Sequence, residues 1–254
     1  MSICCLKTSS VLIMTVVLFK THVWIPDIEM RALKIYRETK KLDFFILMHG
    51  KHEIQNKNLA SRVLVFTEED IRSIYPEGFY SMWISNHWIL MWFFIKFGTK
   101  YKYFWSIEYD VLIVGDSGLI WNYDSDMDFL YVRGMSYHPN NKHFNCYVGG
   151  DLQDKDKRQG YLQLARYSHA VLTYFHQCFL NGENGQDELI TYSLVKRGGF
   201  TRSNTYLGSL VKGTWTWDTK YSYVNRLVGA KLVTMLKYLP KSVWILHPVK
   251  DVVF

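Results

Sequence analysis

The chain has 254 residues, of which 48% are hydrophobic and 17% aromatic, and a formal net charge of +7. This composition excludes a disordered chain and supplies a sizeable core, as one large domain or two small ones. Its 30 Lys and Arg residues form no long basic run, so the charge suits a small anionic ligand and gives no indication of nucleic-acid binding.

The first element is the apolar run Val11–Phe19. It reads as a buried strand and not as a signal peptide or membrane span. Thr15 interrupts it, Lys20, His22 and Asp27 follow closely, and it is far shorter than the roughly 20 residues a spanning helix needs. Cys4, Cys5, Cys146 and Cys178 contain no CxxC pair, which argues for reduced thiols and a cytoplasmic location. A loop through His22 and Pro26 leads to a helix over Ile28–Lys41, where Met30, Leu33, Ile35 and Tyr36 recur among basic residues.

Asp43–His49 is a second buried strand, stopped by Gly50, and Arg62–Thr67 is a third. A short helix over Glu68–Ile74 and a longer one over Trp83–Phe97 follow; the apolar part of the latter, His87–Phe97, is too short to cross a membrane. Next comes Phe104-Trp-Ser-Ile-Glu-Tyr-Asp110, a strand that ends in two acids one residue apart. An unpaired buried charge is costly to desolvate, so carboxylates there point to a cation, a donor network or a substrate.

In the second half, Asp128–Val132 reads as a strand, 140–160 as a polar loop, and Tyr161–Leu180 as a helix with Leu162, Leu164, Ala165, Val171, Leu172 and Phe175 on its stripe. Asn181–Gly185 breaks it and a helix begins at Asp187, which places Asp187 and Glu188 in a first turn where the macrodipole favours negative charge. Trp215 and Trp217 alternate as strand residues do, and core packing accounts for them better than sugar stacking.

The β-α-β-β-α-β order predicts an α/β fold with an open, mixed but mainly parallel sheet flanked by helices. Ligands of such sheets bind at the carboxyl ends of the strands, where Thr21, His22, His49, Gly50, Glu108 and Asp110 all fall.

Ile107-Glu-Tyr-Asp-Val111 with Gly115-Asp116 and Asp128-Phe-Leu130, then Arg166-Tyr-Ser168, Gly185-Gln-Asp-Glu-Leu189 and Leu246-His-Pro-Val-Lys250, occur in this order. The series resembles nucleotide-sugar glycosyltransferases of the GT-A fold, and the resemblance runs from the first strand to the C-terminus. It implies a single catalytic domain over 1–254, with a nucleotide-sugar donor half over about 1–115 and an acceptor half over about 116–254.

The resemblance further implies a divalent cation, Mn2+ or Mg2+, held by Asp110, Glu108 and His247 on the donor diphosphate. Glu108 stands where Asp is usual, and either binds through water or contacts the donor ribose. Thr21, His22, His49, Tyr109 and Lys250 fall on the donor side, with Lys250 placed to neutralise diphosphate oxygens. A carboxylate at the start of an acceptor-side helix serves inverting members as general base; Glu188 is the first candidate and Asp187 the second, and Arg166 orients Glu188 or the acceptor or makes a surface salt bridge.

The expected function is metal-assisted, inverting transfer of a sugar from a nucleotide sugar to a glycan or protein hydroxyl, with no nucleic-acid partner and no transmembrane segment. A catalytically inactive carbohydrate-binding scaffold is the alternative. A sugar-nucleotide nucleotidyltransferase is disfavoured, because Lys20-Thr-His-Val-Trp24 lacks the glycines of a phosphate-binding loop.

Overall fold

The computed structural model describes residues 14–76, 81, 84–138 and 147–250. The expectations for 11–13, Trp83, Cys4, Cys5, Cys146 and 140–146 lie outside the described residues. In chain order, β1 (Met14–Thr21), α1 (Pro26–Thr39), β2 (Asp43–His49), α2 (Lys57–Ala60), β3 (Val63–Phe66) and α3 (Glu68–Arg72) come first. They lead through α4 (His87–Phe97) to β4 (Tyr101–Glu108), β5 (Leu112–Gly115), α5 (Gly118–Trp121), β6 (Phe129–Met135) and β7 (Tyr147–Gly149). Then follow β8 (Gln159–Ser168), α6 (His169–Leu180), β9 (Asn184–Gly185), α7 (Asp187–Arg197) and β10 (Arg202–Ser203). α8 (Thr205–Leu210), β11 (Val211–Trp215), α9 (Ser222–Met235) and β12 (Val243–His247) complete the described chain.

The fold is mixed α/β, built on a seven-stranded sheet of order β10-β6-β8-β4-β1-β2-β3. Every neighbouring pair is parallel except those made by β8, which runs antiparallel to both β4 and β6. Both faces are covered. Val16, Leu18 and Phe104 pack with Trp88, Phe175 and Ile190 of α4, α6 and α7, while Val17, Phe19, Trp105 and Ile107 pack with Ile28, Ala32 and Ile35 of α1. A strand buried on both sides needs apolar residues on both faces, which is why the centre of β1, Val16-Val-Leu-Phe19, is apolar at every position.

The helix expected over Tyr161–Leu180 is corrected: Gln159–Ser168 is a strand, buried throughout, and only His169–Leu180 is helical. Leu162 enters one core layer and Leu164 the other, because the pairing with β6 shifts register between Tyr161 and Ala165 and breaks the alternation there. No Gly or Pro separates strand from helix. The single boundary signal is Ser168, whose Oγ accepts the Val171 N–H at 3.2 Å as N-cap. Smaller shifts occur at other ends: β1 runs on to Thr21, α1 begins at Pro26, α4 begins at His87, and Trp217 lies beyond β11 and is 48% exposed.

A second sheet of order β11-β12-β5 carries β12 parallel to β11 and antiparallel to β5. Gly115 closes β5 at φ +94°, and a Cβ there would lie 2.0 Å from the Ser242 carbonyl oxygen. Only glycine permits this approach, and the approach brings β12 and its terminal His247 alongside the loop after β4.

Candidate functional site

Lys20 and Glu108 are register partners at the carboxyl ends of β1 and β4. Lys20 Nζ stands 3.6 Å from Glu108 Oε1, and Asn86 Nδ2, just before α4, donates to the same oxygen at 2.7 Å. Lys20 is 6% exposed and shares the inward face of Val16 and Leu18. The alternation along β1 therefore carries a signal for Lys20 that motif reading missed; Asn86 left none.

Two residues on, Asp110 meets the chain's C-terminal segment. His247 Nε2 lies 3.4 Å from Asp110 Oδ1, and Lys250 Nζ lies 3.5 Å from Oδ2. Burial raises the Asp110 pKa, but His247 and Lys250 outweigh it and hold the carboxyl down at about 2. Trp215, the register partner of His247, packs on its ring at 5.4 Å between centroids.

The backbone locks the two segments together. Val249 N–H donates to the Asp110 carbonyl at 2.8 Å. Arg31 of α1 donates to the Tyr109 carbonyl at 3.2 Å and to the Val249 carbonyl at 2.7 Å.

Glu108, Asp110 and His247 each offer one donor atom within 4.8 Å of the others. Two carboxylates and an imidazole suit a hard or borderline divalent cation. Asp110 Oδ1 and His247 Nδ1 are buried without a hydrogen-bond partner, so the donor set has unused capacity and fits the expected ion.

The other expected donor-side residues are arranged unevenly. His22 sits edge-on to Tyr109 at 5.1 Å, and its pKa is lowered by burial and then by Lys250, against the opposing pull of Asp110. Thr21 spends its hydroxyl on its own turn, donating to the Val23 carbonyl, and His49 stacks on Phe66 at 5.5 Å. Neither makes a hydrogen bond or ion pair with the acids among the described residues.

Asp187 and Glu188 open α7 at the flank of the same sheet, with Gln186 as N-cap. Asp187 Oδ1 accepts the Glu188 N–H at 2.7 Å. Glu188 accepts from Gln163 Nε2 at 2.9 Å and from Gln186 Nε2 at 3.3 Å. Burial and then the charge of Glu108 raise the Asp187 pKa to about 7, with Lys20 opposing. Burial and then Asp187 push Glu188 well above the carboxylate range. Gln163 and Gln186 were not foreseen, because an amide in a buried strand or cap carries no motif.

The expected link between Arg166 and Glu188 is corrected. The Arg166 guanidinium donates to the carbonyls of Tyr123, Ser125 and Met127 and lies over the Tyr103 ring at 4.1 Å, so it staples the 122–128 loop. Asp128 is also structural: it accepts from Ser168 Oγ at 3.0 Å and from Thr201 Oγ1 at 2.8 Å. A cavity of about 640 Å³ opens at the end of β6, lined by Tyr131, Tyr137, Arg158, Gln159, Tyr192 and Arg202 among others.

No protein-family profile matches the chain, and no curated sequence matches it. Among solved structures, it is similar to a glycosyltransferase involved in glycosylation of the major capsid of PBCV-1. The identity there is 9%, over 65% of this chain and 64% of that one, with a TM-score of 0.31. It is also similar to a putative glucose-1-phosphate thymidylyltransferase from Bacillus anthracis, at 12% identity over 87% of this chain and 94% of that one, TM-score 0.44. A third similarity is to the glycosyltransferase GlyE of Streptococcus pneumoniae, at 11% identity over 94% of this chain and 55% of that one, TM-score 0.39. The chain thus spans less than two thirds of the first and third of these proteins, and no residue role passes from them at such identities. Among the described residues, no helix is long and apolar enough to cross a membrane.

Proposed function

We propose that the chain is a glycosyltransferase, moving a sugar from a nucleotide diphosphate sugar to a hydroxyl of a glycan or protein, with inversion at the anomeric carbon. The observation that carries this reading is the convergence of Glu108, Asp110 and His247 within 4.8 Å at the carboxyl ends of the strands, with Lys250 beside them.

Mn2+ or Mg2+ held by these three side chains would offset the charge that builds on the diphosphate as it leaves. Asp110 is the main ligand, already ionised at neutral pH by its neighbours. Glu108 is oriented by Asn86 and Lys20, and serves either the ion or the donor ribose. Lys250 pairs with diphosphate oxygens, and His22 and Tyr109 line the donor side, with Thr21 and His49 at neighbouring strand ends.

On the acceptor side, the acceptor oxygen attacks the anomeric carbon while the bond to the diphosphate oxygen breaks and its electron pair leaves with the diphosphate. Glu188, aligned by Gln163 and Gln186, takes the acceptor proton in its ionised form, which burial and Asp187 disfavour in the free protein; Asp187 is the second choice, its pKa near 7 matching that task. The 640 Å³ cavity lined by Tyr192, which stands one helical turn along α7 from Glu188, gives the acceptor its place.

Release of nucleoside diphosphate from a panel of nucleotide sugars, with Mn2+ and an oligosaccharide mixture as acceptor, tests the reading. Turnover is expected for one donor class, with Glu188→Gln lowering kcat far more than donor affinity. Equal loss of both in that variant removes Glu188 from the base role, and no turnover with any donor favours the scaffold alternative.

A further inference from the structure

α9 buries only a narrow stripe made of Ser222, Asn225, Gly229 and Leu232. Its outward side is largely apolar: Tyr223 is 70% exposed, Leu227 49% and Met235 45%, and just beyond the helix Tyr238 is 82% exposed. A helix with one side in water ordinarily carries charge there, and a contiguous exposed apolar face marks an interaction surface.

The charge along the same segment has one sign. From Thr219 to Lys250 the chain holds Lys220, Arg226, Lys231, Lys237, Lys241 and Lys250 and no Asp or Glu. Lys231 lies one turn from both Leu227 and Met235 on the outward face, and Lys237 and Lys241 flank Tyr238 and Leu239. Lys231, Lys237 and Lys241 are exposed.

We propose that α9 and the 236–241 turn after it dock on the surface of an anionic lipid bilayer. Tyr, Leu and Met side chains suit the headgroup and acyl boundary, while interspersed ammonium groups attract acidic lipid phosphates. A second copy of the chain is disfavoured as occupant, because pairing α9 with itself would set these lysines against one another. The docking does not depend on the proposed transfer reaction. It does place the Asp110–His247 site near the membrane, since Asn225 and Ser222 on the buried stripe donate to the Pro248 and Lys250 carbonyls at 3.1 and 2.9 Å.

Flotation of the full chain with phosphatidylcholine vesicles, with and without about 30% phosphatidylglycerol, tests the proposal. Binding is expected to be at least about tenfold stronger with the anionic lipid and to fall as salt is raised. A variant combining Tyr223→Ser, Leu227→Gln and Tyr238→Ser, and another combining Lys231→Glu, Lys237→Glu and Lys241→Glu, should each lose binding while keeping the wild-type melting transition. Absence of wild-type binding, or undiminished binding by both variants, overturns the proposal. A wild-type dimer in light scattering that the first variant abolishes, with no vesicle binding, assigns the face to a second copy and also overturns it.

Discussion

Val249 donates its backbone N–H to the carbonyl oxygen of Asp110 at 2.8 Å, and Arg31 bridges the carbonyls on either side of that bond. Residues far apart in sequence are thereby held as one unit, with Asp110 on one segment and His247 and Lys250 on the other. Arg31→Met should therefore cost roughly 1–3 kcal/mol of stability, because two partly buried carbonyls lose a charged donor. It should also weaken Mn2+ binding without removing a ligand. Paired urea unfolding and Mn2+ titration check this; unchanged metal affinity would limit Arg31 to a packing role.

Much of the first 115 residues was legible because the strands there announce themselves. β1 and β2 carry the apolar runs Val16-Val-Leu-Phe19 and Phe44-Phe-Ile-Leu-Met48, and β4 ends in acids that no core position explains. β8 was not legible: it sits between two antiparallel neighbours, is buried on both faces, and passes into α6 with only Ser168 as a marker. Lys20, Gln163 and Gln186 were missed for a related reason. Their roles come from what strand pairing and helix packing bring beside them, and local spacing does not encode that.

Stability should depend on pH through the Asp187–Glu188 pair. The folded-state pKa of Asp187 is raised from its ordinary value of 3.8 to about 7, so between those values the folded chain binds more protons than the unfolded one. Its contribution to stability therefore falls as pH rises from about 4 to about 7 and is level above that. Asp187→Asn keeps the oxygen that accepts the Glu188 N–H and removes the buried charge. It should stabilise the protein by on the order of 2–4 kcal/mol at pH 8 and by almost nothing at pH 4. Melting temperatures across that range decide it, and a gain independent of pH would contradict the assignment.

Gly115→Ala should be severe. The new Cβ would lie 2.0 Å from the Ser242 carbonyl, at a φ of +94° that alanine resists. A loss of about 3 kcal/mol or more is expected, together with release of β12 from β5 and loss of metal binding through His247. Hydrogen exchange at Ile113 and Ile245, which are register partners, gives a local readout. Retained protection there would show that the small sheet tolerates the change.

His247→Ala should lower Mn2+ affinity by roughly ten- to a hundredfold and leave the main sheet intact. β12 belongs to the smaller sheet, so the core formed by β1, β4 and α4 does not depend on it. Calorimetric Mn2+ titration beside a melting curve separates these effects. A collapse in stability with no specific effect on metal would mark His247 as a packing residue against Trp215.

The central claim is that Glu108, Asp110 and His247 hold a divalent cation that carries a nucleotide diphosphate. The most direct measurement is a thermal-shift panel of nucleoside diphosphates and nucleotide sugars, with and without Mn2+, on the wild type and on Asp110→Asn. A ligand that binds only the folded state raises the melting temperature. Stabilisation of the wild type by one nucleotide class, dependent on Mn2+ and absent in Asp110→Asn, is the predicted result. Stabilisation that needs no metal and survives Asp110→Asn, or no stabilisation by any nucleotide, would contradict it.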